Sequence, residues 1–256
     1  MKPLQVLAAL ALATAFADAI ADVLPAGDCA APQAATDLSQ CDFSRQKLTG
    51  RNLRGARLAG ARMESTDFRQ ADLANADLRA SNAKWANFSG ANLAAADLRD
   101  ADLFHATFDD AHLTGANLRG ANLFGANLIN SKAAKADFSG AYLKDILMEG
   151  IDLSGGSIRD CNALRGVFSD ARLVGTDLSG ADLTGAAMDQ ADFSNARLKG
   201  TRLVGATLRH AVFDGADLET ANFANADLWD TSFANALNLD DSVRAALAEP
   251  FVVRGR

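Results

Sequence analysis

Residues 91–120 read ANLAA ADLRD ADLFH ATFDD AHLTG ANLRG when divided every five residues. The third residue of each block is Leu or Phe, the first is Ala, and the second is polar. Working outward, this register runs from Leu38 to Phe233 without insertion or deletion. Its 40 third positions hold 23 Leu, ten Phe, three Met and one Ile, with Ala83, Ala133 and Ala163 as the small exceptions. Sixteen of the 20 glycines fall at the fifth position, among them Gly115, Gly120, Gly125 and Gly180. No proline lies between Thr36 and Asn235.

A period of five matches neither a 3.6-residue helix nor an uninterrupted two-residue strand. It suits a coil with short extended sides and a turn at each corner. In an extended side, residues two apart share a face, so the large third residue and the small first residue both point inward. Glycine relieves steric restriction at the turn, and the Asp or Asn of the second position can hydrogen-bond nearby backbone.

Units such as Ala96-Asp97-Leu98-Arg99-Asp100, Ala116-Asn117-Leu118-Arg119-Gly120 and Ala181-Asp182-Leu183-Thr184-Gly185 resemble those of the pentapeptide-repeat family, whose pattern is Ala-(Asp/Asn)-Leu-x-x. The resemblance covers residues 36–235. It implies an all-β fold, a right-handed quadrilateral β-helix with four units per coil. Forty units then give about ten coils, a rod of roughly 48 Å at ~4.8 Å per coil. Such a stack needs capped ends. Residues 22–35 are expected to cap one end, and residues 236–256 to form a short cap helix and tail at the other. Asp240, Asp241 or Ser242 would N-cap that helix, which carries Val243, Ala246 and Leu247 and stops before Pro250.

The chain of 256 residues is 49% hydrophobic and 22% charged, a globular balance. Its formal charge of −7 argues against a protein that grips nucleic acid through phosphates. Lys2 followed by an uncharged apolar run from Leu4 to Ala17 reads as a secretory signal peptide within residues 1–21, cleaved after Ala17 or Ala21. The run is too short to span a membrane, so no transmembrane span is expected after processing. Periplasm or the medium is the expected location. Asp28 before Cys29 breaks the small, uncharged requirement of a lipid-attachment box, so lipidation is not expected. In an oxidising compartment, a Cys29–Cys41 disulfide would pin the N-terminal cap. Three free thiols are the other reading, because pairing cannot be deduced from sequence. Cys161, deep in the repeat, reads as a small buried residue.

With four units per coil, residues twenty apart stack in columns. Arg79, Arg99, Arg119 and Arg159, with Lys199 beyond them, lie beside Asp77, Asp97, Asp137 and Asp177, as solvated ladders that neutralise each other. On the next face Phe104 and Phe124 follow one another between Lys84 and Lys144. Trp85, Phe104, Phe124, Tyr142 and Leu164 form the candidate partner face, since contiguous exposed aromatics mark contact surfaces. The stretch Ile146–Asp170 departs from the repeat. Ile146, Ile151, Gly156, Cys161 and Gly166 replace the small inward Ala there, and Ile146 should stack under Gly166.

His105 and His112 fall on opposite faces and His210 lies about 24 Å further along, at ~4.8 Å per coil, so they cannot converge on a metal or a triad. No phosphate-loop or dinucleotide fingerprint is present. Neither catalysis nor a cofactor is expected. The reading is an exported interaction scaffold whose rigid rod binds a protein partner, with no nucleic acid bound. The resemblance also offers another function, an acidic mimic of DNA that binds DNA gyrase or another DNA-binding protein. A signal peptide conflicts with a cytoplasmic target such as gyrase.

Overall fold

Asp37 pairs with Arg57, Asp42 with Arg62, and each second-position residue thereafter with the residue twenty further on, all as parallel bridges, through Asp217 and Leu237. The structure, a computed structural model, describes residues 24–241, 243 and 244. A step of twenty residues contains four five-residue units, so the chain winds as a four-sided β-solenoid. The sides are numbered by the units that begin them: 36–40 on the first, 41–45 on the second, 46–50 on the third and 51–55 on the fourth.

Hydrogen bonding within one unit explains the repeat. In residues 116–120, Ala116 N–H donates to Leu113 C=O (2.9 Å) across the corner, Asn117 N–H to Ala96 C=O (2.9 Å) in the coil before, and Leu118 N–H to Asp137 C=O (2.7 Å) in the coil after. Gly120 N–H donates to Ser139 C=O (3.1 Å). That leaves the Arg119 N–H, which donates to Asn117 Oδ1 at 3.2 Å. All five amides are thus satisfied, as a tightly wound backbone requires. The same side-chain bond recurs from the Ser39 N–H to Asp37 Oδ1 and from the Ser154 N–H to Asp152 Oδ1. The second position therefore favours Asp and Asn because the fourth amide has no backbone carbonyl to meet.

Every fifth residue from Arg45 to Asn235 is left-handed, with φ between 52° and 72°. Sixteen of these 39 residues are glycine and 11 are Asn or Asp, the types that tolerate this region best. The remaining 12, including Trp85, His105 and Thr220, hold the conformation because the coils on either side pin it.

Inside, the third-position side chains stack coil on coil. Phe68, Phe88 and Phe108 lie face to face at 5.0 and 4.8 Å, and Phe193, Phe213 and Phe233 at 4.6 and 5.1 Å. First-position alanines from Ala56 to Ala216 fill the corners and are buried. Where Thr66, Thr176 and Thr201 replace Ala, each hydroxyl donates to the carbonyl 23 residues earlier, at Phe43 (2.8 Å), Leu153 (2.9 Å) and Leu178 (2.8 Å), whereas the Ser81 and Ser131 hydroxyls are buried without a partner. The Cys161 thiol donates as the threonines do, to Phe138 at 2.9 Å, and burial pushes its pKa up to about 12. In the irregular stretch, a Cβ on Gly166 would lie 3.2 Å from Ile146 Cγ2 and 2.7 Å from Phe168 Cε2. The large residue does occupy the space that glycine leaves.

At the N-terminal end the register shortens. Ala26 bridges Asp37, only eleven residues on, through Gly27 N–H to Asp37 C=O (2.9 Å) and Asp37 N–H to Pro25 C=O (2.8 Å). A Cys29–Cys41 disulfide ties this segment to the first coil, with Cα atoms 5.4 Å apart. At the other end Leu228, Phe233 and Leu239 are only partly covered, while Val243 packs inward at 5% exposure. Arg244 N–H donates to Asp240 C=O at 3.0 Å, the first helical bond there. The rest of the expected cap helix and the whole signal peptide lie outside the described residues.

Candidate partner-binding face

The four sides present different chemistry because the fourth and fifth positions vary while the inward ones do not. On the first side, Arg79 and Arg99 each close a bidentate pair with the aspartate two residues earlier, at 2.8 and 2.7 Å to Asp77 and 2.8 and 2.6 Å to Asp97. Arg119 instead reaches Asp137 in the next coil (3.2 Å), and Lys199 reaches Glu219 (3.0 Å). Asp177 receives Arg159 from the coil before (3.1 Å) and Arg197 from the coil after (2.8 Å). Hydrogen bonds from Arg79 and Arg99 hold the carboxyls of Asp77 and Asp97 below the usual carboxylate range. Burial works against Asp177, but Ser179 and its two arginines outweigh it and lower its pKa as well. This side is a neutralised lattice.

The second side carries an aromatic ladder. The Trp85 indole meets Phe104 edge-on at 5.5 Å. Phe104 stacks on Phe124 at 5.4 Å with planes 7° apart, and Phe124 on Tyr142 at 6.0 Å and 17°. The structure therefore joins Trp85, Phe104, Phe124 and Tyr142 in one run. Leu164 follows in the same register, half-buried beside Arg165, outside the ring contacts. The ends of the run are open, Trp85 at 49% and Tyr142 at 39% exposure. Phe104 and Phe124 are less exposed than their phase suggested, since each ring covers the next. Rings stacked along the rod in this way turn mainly their edges outward.

A residue that sequence reasoning left out completes the ladder. His105 sits edge-on to Phe104 (4.3 Å) and to Phe124 (5.7 Å). Its Nδ1–H donates to the Gly125 carbonyl at 3.1 Å. A Cβ at position 125 would overlap the imidazole, so glycine there makes room for the ring as well as for the turn. Lys84 pairs with Asp102 (3.0 Å), and Arg165 clasps Asp145 through two bonds of 2.8 and 2.7 Å. Charge on this side is thus mostly tied down beside the rings.

A family model for pentapeptide repeats matches the chain in eight copies, over residues 36–73, 48–82, 84–120, 121–157, 167–200 and 201–237. The chain belongs to the pentapeptide-repeat family. Several pentapeptide-repeat proteins of known structure resemble it. HetL, involved in heterocyst differentiation regulation in the cyanobacterium Nostoc sp. strain PCC 7120, is 26% identical, with 87% of this chain and 95% of HetL covered and a TM-score of 0.39. QnrB1, a plasmid-mediated fluoroquinolone resistance protein, in a trypsin-treated form, is 18% identical, with 78% and 97% covered and a TM-score of 0.38. A pentapeptide-repeat protein of the Arabidopsis thaliana thylakoid lumen is 26% identical, with 50% and 75% covered and a TM-score of 0.29. No curated protein matches the chain.

Pentapeptide-repeat proteins are in general non-enzymatic structural or interaction proteins. Among the described residues no three His, Cys, Asp or Glu side chains gather as a metal site. His210 pairs with Asp230 (2.9 Å) and stands edge-on to Trp229 (4.5 Å) on the third side, remote from His105. No described helix is long and apolar enough to cross a membrane.

Proposed function

We propose that this pentapeptide-repeat protein is an exported, non-enzymatic scaffold that binds a protein partner through the aromatic ladder of its second side. The observation that carries this reading is the run Trp85–Phe104–Phe124–Tyr142. The coil is already filled by its third-position residues, so no packing need within the chain calls for four more stacked rings on its outside. Tyr and Trp at the two ends supply large, rigid contact area of the kind found at interface centres. The apolar leader of residues 1–21 supports export to the periplasm or medium. In this reading the rod is right-handed, has about ten coils, and is closed by residues 22–35 at one end and a helix after Asp240 at the other. The first-side lattice argues against imitation of duplex DNA, since its arginines cancel the negative column such a mimic would present.

The test is affinity capture from an envelope extract with the mature chain and its Phe104→Asp/Phe124→Asp variant. The wild type should retain a discrete protein that the variant loses while keeping its circular dichroism. Equal capture by both proteins removes the ladder as the contact face. Terminal-peptide mass spectrometry of the native protein should find a chain beginning at Asp18 or Asp22 outside the cytoplasm. An intact chain within the cytoplasm overturns the export half of the reading.

A further inference from the structure

The third side differs from the others in a way the aromatic ladder does not explain. In five successive units, 106–110, 126–130, 146–150, 166–170 and 186–190, it carries no Lys or Arg. Along its second-position column Leu147, Val167 and Ala187 follow one another, with Leu147 38% exposed. Ile129 adds to this apolar rail from the fourth position of the coil before. Beside it runs an acidic rail, Asp109, Glu149 and Asp189, flanked at the corner by Asp110 and Asp170. None of these five carboxylates makes an ion pair among the described residues, unlike Asp77, Asp97 and Asp177 of the first side. Asp109 accepts the Asn127 side-chain amide (3.2 Å) on one oxygen, and its other oxygen is buried without a partner. Asp189 accepts the backbone N–H of Arg209 (2.9 Å), whose guanidinium is taken by Asp227.

Surface apolar side chains, Leu147 the most exposed of them, and carboxylates without an ion pair are both unfavourable in an isolated rod, and here they run parallel over four coils, from 126–130 to 186–190. We propose that this side is a second docking surface, for a cationic amphipathic peptide segment of a protein partner. Its apolar side chains would lie on Leu147 and Val167, and its Lys or Arg side chains would pair with Asp109, Glu149 and Asp189. Charge complementarity fixes the occupant. An acidic segment or a phosphate backbone is repelled, and a wholly apolar one leaves the carboxylates desolvated without a counter-charge. The acids of the rail stand two coils apart, roughly 10 Å at ~4.8 Å per coil. An extended segment rising ~3.3 Å per residue therefore meets one carboxylate about every third residue.

The experiment is fluorescence anisotropy of a labelled 12-residue Lys/Leu peptide with the mature chain, against its Glu/Leu counterpart. The Lys/Leu peptide should bind and the Glu/Leu peptide should not. The variant Asp109→Asn/Glu149→Gln/Asp189→Asn should weaken binding at least tenfold, and Leu147→Ser at least threefold. A control variant, Asp100→Asn/Asp160→Asn/Asp214→Asn, removes the same charge from other sides and should stay within twofold of wild type. Equal weakening by the two triple variants would show that binding follows net charge alone and would falsify the proposal. So would failure of the Lys/Leu peptide to bind. Neither result touches the aromatic ladder, which the Phe104 and Phe124 substitutions test separately.

Discussion

The second-position Asp or Asn matters through one oxygen. Asn117 Oδ1 takes the Arg119 N–H, the amide that the coil's geometry leaves without a carbonyl. Asn117→Ala should therefore cost about 0.5–1.5 kcal/mol in urea unfolding with an unchanged m-value. A loss within error would mean that water serves that amide equally well. Gly166 is a different kind of residue, required for space rather than for a left-handed turn. A methyl there meets Phe168 Cε2 at 2.7 Å and the Ala163 carbonyl oxygen at 3.2 Å. Gly166→Ala should destabilise by about 1–3 kcal/mol through overpacking. Because Ile146 Cγ2 is part of the same contact, at 3.2 Å, the Ile146→Ala/Gly166→Ala double variant should lose less than the two single variants added together. Strict additivity would show that the two coils do not compensate one another here.

At the scale of the element, a coil is stable only between neighbours, so the ends govern how the stack begins to open. The N-terminal segment rests on the first coil through two backbone bonds at Asp37 and the Cys29–Cys41 bridge. Reducing the disulfide, or making Cys29→Ser/Cys41→Ser, should lower stability by about 2–4 kcal/mol by freeing a short loop in the unfolded chain. Hydrogen exchange should then quicken first around residues 37–60 while the coils near Phe88 keep their protection. Uniform acceleration along the whole rod would instead point to a single cooperative unit. The aromatic ladder belongs to this scale as well, since its rings come from successive coils and exist as a surface only when those coils are stacked.

For the whole molecule, electrostatics sets the response to pH. Eight aspartates, among them Asp77, Asp97 and Asp145, are held below the ordinary carboxylate range. Hydrogen bonds from arginines lead for those three, at Arg79, Arg99 and Arg165. Depressed folded pKa values mean that their stabilisation is complete above the unfolded value of about 4. It is lost as pH falls through that value toward the folded ones. Asp109 works in the opposite sense, raised by burial and by Asp110, but it is one group against eight. The melting temperature should hold from about pH 6 to 5 and fall steadily below about pH 4. A melting temperature that stays level down to pH 2.5 would show that the paired aspartates contribute nothing net.

The amino-acid sequence alone determined the inward pattern. A large residue at every third position and a small one two places earlier can satisfy only a short side and a corner, because side-chain alternation and the turn are local properties. It also showed where the pattern strains, at Ile146 and Gly166. Neighbour relations across coils needed one further quantity, the twenty-residue step, which a period of five does not contain. That step puts Phe104 against Phe124 and lets Asp177 collect arginines from the coils before and after it. Only the tertiary structure decided the finer contacts. His105 turns over Gly125 to wedge the aromatic ladder, Phe104 and Phe124 shield each other, and Asp109, Glu149 and Asp189 stay outside the ion pairs of the described residues. Those outcomes depend on which rotamer each long side chain adopts among several neighbours of similar reach, a choice made by packing between coils and written in no single unit of the repeat.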